Sequence, residues 1–306
     1  MAVWSETLLS SVEDNYGRFD AEYYRPEFLR TESILSKIAG IKLRNVCSKI
    51  DVGHVGPMVR FYSDDGVLLL QTQNVREFFL SLEHCIKITP EFNSKLTKSQ
   101  VRRGDILIAR SGSFGFAAIY LENQIINSAD IIIVKLNDPR IDPLFAVTFM
   151  NTKYGKNQLI RFASGGVQGH VNLRILEEFC LPIFGKAAQK EVSVKVQGAY
   201  DALKTSAESY QQAQHLLESE LALNNLSFQK PVGYIARFSD LKQSLRLDAE
   251  YFDPVASSIV KRISTFDHVR LGANCNVGNG FPWNSKKFFE DNSGEPVVRI
   301  RNIRPS

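Results

Sequence analysis

The chain has 306 residues, 44% hydrophobic and 23% charged, with a formal net charge of +4. That apolar content excludes a disordered chain, and no stretch approaches the roughly 18 consecutive apolar residues of a membrane helix, so we expect a soluble protein of about two domains. The mild basic excess permits nucleic-acid binding without requiring it.

The start, Met1-Ala-Val-Trp-Ser-Glu6, lacks the charged end, apolar run and cleavage site of a secretory signal, which predicts a cytoplasmic protein. Residues 41–184 then alternate short β-rich runs with turn signals: Gly66–Gln71, Cys85–Thr89, Asp105–Ala109, Phe116–Tyr120 and Asp130–Lys135. A helix is predicted over Pro143–Lys153, with Asp142 as N-cap and Pro143 at the first helical position. From Gln189 to Leu223 there is no proline and a single glycine, Gly198, which predicts one long helix of about 50 Å. Val192, Val196, Ala199, Leu203, Ser206, Tyr210, Ala213 and Leu217 recur along it at alternating spacings of four and three. That narrow seam favours a coiled coil with a second helix over a core helix lying across its own domain. Asn224–Gly233 reads as a linker.

A long-period repeat organises the whole. Arg18-Phe-Asp-Ala-Glu-Tyr-Tyr24 returns as Arg246-Leu-Asp-Ala-Glu-Tyr-Phe252, an offset of 228 from Asp20 to Asp248. The same offset takes Leu43 and Cys47 to Leu271 and Cys275, Gly66 to Gly294, and Gln73–Arg76 to Arg301–Arg304. A period this long excludes short-repeat solenoids and points to a duplicated domain. The expected fold class is α+β: a mainly β domain over 1–185, a long coiled-coil helix over 186–226, and the start of a second copy of the same domain over 227–306.

This plan resembles the specificity (S) subunits of type I restriction-modification systems. Gly104-Asp-Ile-Leu-Ile-Ala-Arg-Ser-Gly-Ser-Phe-Gly115 resembles the family's GDIL strand and glycine loop, and Leu69-Leu-Gln-Thr-Gln-Asn-Val-Arg76 its strand ending in Asn-Ile. Ser164-Gly-Gly-Val-Gln-Gly-His-Val-Asn172, followed by Leu181-Pro182-Ile183 and Gln189-Lys190, resembles its domain exit. The resemblance implies a target recognition domain that reads half of a split DNA sequence. It also implies a long helix that spaces two such domains and docks adenine methyltransferase subunits, and a motor-nuclease restriction subunit that completes the complex. It implies no catalysis by this chain and no cofactor. A complete S subunit has two recognition domains and two long helices, whereas this chain has one of each plus about a third of a second domain. It is therefore either a truncated form that pairs with a second copy of itself, reading a symmetric interrupted site, or a fragment or decayed gene product.

The residues themselves offer no Asn-Pro-Pro-Tyr or Asp-Pro-Pro-Tyr motif, no GxxxxGK[ST] loop and no HExxH. The cysteines Cys47, Cys85, Cys180 and Cys275 are scattered, and we expect reduced, mostly buried thiols with no metal or disulfide.

Base reading needs Arg, Asn, Gln or Ser presented to groove edges, and the strongest cluster is Gln71, Gln73, Asn74 and Arg76. Strand alternation would put Gln71, Gln73 and Val75 on one face and Asn74 and Arg76 on the other. A solvated strand face is the alternative. Arg110, Ser111 and Ser113 stand on a glycine turn, and Gln168, His170 and Asn172 on a second glycine-rich segment; His170 is read as a loop donor, not a metal ligand. Phosphate candidates are Arg60, Lys95, Lys98, Arg102, Arg103, Lys153 and Lys156, each of which is alternatively an ordinary solvated charge. Asp20 and Glu22, beside Tyr23 and Tyr24, are expected to pack the domain's start onto the long helix, with no acid-base role. A protein-binding scaffold without specific DNA binding is the competing reading of the chain.

Overall fold

The computed structural model describes residues 4–15, 17–83, 85–110, 115–163, 171, 173–226, 235–276, 278–280, 295 and 297–298, and the chain divides into two compact units, 1–201 and 202–306. The first unit opens with helices α1 (Leu9–Asp14) and α2 (Pro26–Leu35) and strands β1 (Gly40–Lys42) and β2 (Cys47–Val52). Then come β3 (Tyr62–Leu70), β4 (Phe78–Phe79), β5 (Ile86–Ile88), helix α3 (Pro90–Lys95), β6 (Gln100–Val101), β7 (Ile106–Ala109), β8 (Ala117–Ile119), β9 (Ile126–Ser128) and β10 (Ile131–Leu136). It closes with α4 (Pro143–Asn151), α5 (Lys153–Ala163), α6 (Leu173–Leu176) and β11 (Cys180–Pro182), after which the long helix α7 (Lys186–Glu220) begins. A β-rich domain followed by a long helix is the expected class.

Two sheets carry the domain. The larger runs β2-β10-β7-β8-β4, antiparallel except for β4 beside β8, and the smaller runs β5-β3-β9-β6 with β3 parallel to β9. β1 and β11 pair with each other, which brings the beginning and end of the domain together. The apolar runs Ile106–Ala109 and Ile131–Val134 are fully buried because both faces of their sheet are covered. Alternation divides them: Ile106, Ile108, Ile132 and Val134 join Val147, Met150, Leu159 and Phe179 in one core, while Leu107, Ala109, Ile131 and Ile133 join Leu70, Val75, Val101 and Ile126 in another.

Asp142 caps α4 as expected, its carboxylate accepting from the Leu144 amide at 2.8 Å. The helix predicted over 143–153 stops at Asn151, however, because Thr152 turns extended (ψ 164°), and α5 follows it directly. Gly155 is where the two helices cross: a Cβ there would land on the Phe149 carbonyl oxygen and 2.6 Å from the Met150 Cα.

α5 also corrects the expected docking of the Asp20–Tyr24 segment, which packs on α5, not on the long helix. Arg161 lies with its guanidinium 4.1 Å from the Tyr23 ring centre, donates through Nε to the Tyr23 carbonyl at 2.9 Å and pairs with Glu32 at 3.1 Å. Asn157 donates to the Thr31 hydroxyl at 2.9 Å. The reason is chemical: a planar cation covers a tyrosine face that an aliphatic seam cannot satisfy. The cysteines are free, but Cys47, Cys85 and Cys180 are only half-buried and Cys275 is exposed, short of the expected burial. Desolvation nevertheless pushes the Cys47 thiol up to about 12. No helix among the described residues is long and apolar enough to cross a membrane.

The second unit takes up the rest of α7 and adds α8 (Phe238–Ser244), α9 (Pro254–Ile263) and α10 (Leu271–Asn274). Here the repeat becomes geometry. Arg18 grips Asp20 through Nε and Nη2 at 2.8 and 2.7 Å, and Arg246 grips Asp248 through the same atoms at 2.7 and 2.5 Å. A 3-10 turn follows at Ala21–Tyr24 and at Ala249–Phe252, then a proline-started ten-residue helix, α2 or α9. The 228-residue offset holds at both ends of each of these turns and helices. The counterparts Gly294 and Arg301–Arg304 lie outside the described residues.

Because backbone and not a flexible side chain fills the space over Gly155, Gly155→Ala should destabilise the chain by about 1–3 kcal/mol; a wild-type thermal midpoint would contradict this crossing.

Candidate nucleic-acid interface

The register of the larger sheet builds the site. Ala109 pairs with Ile131 across antiparallel β7 and β10, so the next residues outward, Arg110 and Asp130, stand opposite each other, and Arg110 Nη1 donates to Asp130 Oδ1 at 2.6 Å. Asp130 sits in the left-handed region (φ 52°), a conformation aspartate tolerates better than most residues. Its backbone is held on both sides: its amide donates to the His54 carbonyl at 3.3 Å, and its carbonyl accepts from the Thr72 hydroxyl at 3.3 Å.

These residues line an open cleft of about 590 Å³, together with Gln71 and Gln73. Sequence reasoning singled out Gln71, Gln73 and Arg110 separately, and the fold brings them together. It missed His54 and Asp130, which enter through a strand end and a long-range bridge from His54 to Ala129. The only local sign of either was the aspartate that opens the run Asp130–Lys135. His54 is fixed by an edge-on contact with Phe92 (5.7 Å) and by Gly56, where a Cβ would stand 3.1 Å from its Nε2. Phe92 stacks on Phe61 at 3.8 Å, and the Arg60 guanidinium lies 4.7 Å from the Phe61 ring centre, so an aromatic ladder runs from His54 to Arg60, which does not itself line the cleft.

The strand-face reading of residues 71–76 does not hold. Thr72–Asn74 is a 3-10 turn, and Asn74 is only 4% exposed. Its Oδ1 accepts from the Gln71 amide at 2.7 Å and its Nδ2 donates to the Ser81 carbonyl at 2.9 Å, so Asn74 braces the turn and is not presented to a ligand. The three-residue spacing from Gln71 to Asn74 is that of a capping box, and it was the available signal. Arg76 follows, exposed.

Of the phosphate candidates, Lys98 pairs with Asp51 at 2.9 Å, Lys156 with Glu77, and Arg103 donates to the Leu121 carbonyl. Lys95, Arg102 and Lys153, like Arg60 and Arg76, are exposed and have no ion pair among the described residues. Ser111, Ser113, Gln168, His170 and Asn172 lie outside the described residues; of their neighbours, Val171 donates through its amide to the Arg110 carbonyl at 3.4 Å. No cluster of three His, Cys, Asp or Glu side chains among the described residues would hold a metal ion.

The seam of α7 is divided. Val196 is buried and Val192 half-buried in the first unit, beside buried Gln189 and Ser193. Gln189 accepts from the Asp142 amide and donates to the Phe184 carbonyl, each at 2.8 Å, and Tyr200 donates to Glu122 at 2.6 Å. Burial first, then Glu122, pushes the Tyr200 hydroxyl upward. Beyond this, Ala199, Ser206 and Ala213 are exposed, as are Leu203, Tyr210 and Leu217 at 57, 48 and 61%. Val192 and Val196 are thus spent on the chain's own domain, which uses the overlapping stripe 189-193-196-200.

No protein-family model matches the chain, and no curated protein matches it significantly. Solved structures do. A chain from the work on complex assembly and conformational transition of the type I R-M system is 15% identical, with 68% of this chain and 51% of that one covered and a TM-score of 0.41. The HsdS subunit from Thermoanaerobacter tengcongensis gives 14%, 67%, 49% and 0.39, and the type I restriction-modification S subunit from M. genitalium 14%, 60%, 44% and 0.44. The match spans about half the length of these chains.

Removing the Asn74 brace leaves an amide and a carbonyl unpaired, so Asn74→Ala should cost about 1–3 kcal/mol in denaturant melts, with the slope unchanged. Wild-type stability would return Asn74 to the list of ligand contacts.

Proposed function

We propose that the chain recognises double-stranded DNA sequence-specifically, as a specificity subunit of a type I restriction-modification complex, and performs no chemistry itself. The observation that supports this most is convergence: the two family-like segments Leu69–Arg76 and Gly104–Arg110, distant in sequence, meet at one cleft lined by amide, guanidinium and carboxylate groups. Such groups read base edges, while the exposed Arg60, Arg76, Lys95, Arg102 and Lys153 around the domain supply phosphate contacts. The remaining site residues, Ser111, Ser113, Gln168, His170 and Asn172, belong to the same interface in this reading. Residues 1–185 are then the recognition domain, 186–226 the spacer helix and 227–306 the start of a second recognition domain. The partners are adenine methyltransferase subunits and a motor-nuclease subunit. The exposed Leu203, Tyr210 and Leu217 favour pairing of α7 with the α7 of a second copy, since burying them removes apolar surface from water.

If the five exposed cations each neutralise one phosphate, log K should fall against log salt with a slope near −4.5, a loss of up to about 500-fold between 50 and 200 mM salt. The double variant Arg60→Ala, Arg76→Ala should flatten that slope by about 2. An affinity that ignores both salt and these variants would favour the protein-binding scaffold.

Light scattering should give about 69 kDa, twice the 34.5 kDa chain, and Leu203→Glu with Leu217→Glu should return it to one chain. A wild-type monomer at micromolar concentration would remove the self-pairing.

A further inference from the structure

We propose that the cleft reads a guanine in the major groove, with Arg110 donating to its O6 and N7 and Asp130 positioning that arginine; this rests on the DNA-recognition reading above. Arg110 makes one described side-chain hydrogen bond, from Nη1 to Asp130, and its Nε is buried without a partner. The second Nη1 hydrogen and both on Nη2 are left for a ligand. At 29 and 40% exposure, the two side chains are reachable and yet anchored.

Charge decides which ligand. Asp130 neutralises Arg110 and repels phosphate, so the pair has little to offer the DNA backbone, but the planar fork keeps its directional donors. Two neighbouring acceptors without a formal charge are what it suits. Among major-groove edges only guanine presents such a pair, whereas adenine places a donor beside its acceptor. The isolated cations elsewhere on the domain are free of such carboxylates and suit phosphates.

Preorganisation points the same way. Strand register places the two side chains, and the His54 carbonyl and Thr72 hydroxyl hold the Asp130 backbone, so little conformational freedom remains to be lost on binding.

The test is selection from duplexes with a randomised core, using the full chain and sequencing the bound pool. Wild type should enrich a motif containing a guanine. Arg110→Lys keeps the charge and loses the fork, so preference at that one position should drop about 10- to 100-fold while the rest of the motif stands. Asp130→Asn should relax the same position and steepen the salt dependence, because the arginine it releases becomes available to phosphate. A pool from Arg110→Lys that keeps every guanine overturns the assignment while leaving DNA recognition intact. If Asp130→Asn leaves both base preference and salt dependence unchanged, its positioning role falls. A wild-type pool with no motif overturns the assignment and the recognition reading together.

Discussion

Ala109 of β7 and Ile131 of β10 face each other across an antiparallel ladder, and the candidate site depends on that register. The two strands are buried on both faces, so each residue belongs to one of two cores: Ile108 and Ile132 lie with the helices, Leu107 and Ile133 with the smaller sheet. A slip of one residue in either strand would send every side chain of that strand into the wrong core. The packing that prevents this also sets Arg110 opposite Asp130. The site begins where that ladder ends, and the His54 carbonyl and Thr72 hydroxyl complete the hold on Asp130 that the hydrophobic core starts.

The duplicated segment shows what local chemistry can settle without tertiary support. In the first copy Tyr23 is 4% exposed beneath Arg161; in the second its counterpart Tyr251 is 49% exposed. The turn is nevertheless the same, with the arginine over the tyrosine ring at 4.3 Å in one and 4.8 Å in the other. Arginine, aspartate and tyrosine all fall within six residues, so the ion pair and the stacked ring define the turn from inside the segment. Burial adds stability to a shape already made.

What the sequence disclosed follows the same division between local and distant causes. β7 and β10 were legible because double burial writes an unbroken apolar run, and α4 because Asp142 and Pro143 mark its start. The long helix was legible from the absence of breakers, and the repeat from identity at Arg18, Asp20 and Tyr23. α5 was not, because Tyr154-Gly-Lys-Asn157 looks like a turn until α4 is beside it, when Gly155 becomes the residue that lets them cross. Asn74 misled because a polar residue after an apolar strand looks like a solvent-facing one, although its amide turns inward. His54 joins the site through its bridge to Ala129 and Asp130 through the end of the β10–β7 ladder, neither of which a local pattern encodes, and the packing of Tyr23 on Arg161 spans 138 residues.

One feature of the ladder bears on how such a domain changes over generations. The Arg110–Asp130 pair stands at the end of a ladder whose strands, β7 and β10, bury their side chains in two cores. Exposed polar positions around it can then exchange without moving the anchor, since a strand register held by two cores is costly to shift while a surface substitution is close to neutral. A domain built this way separates the part that must be inherited intact from the part that is free to drift, so its surface can change without passing through unfolded intermediates.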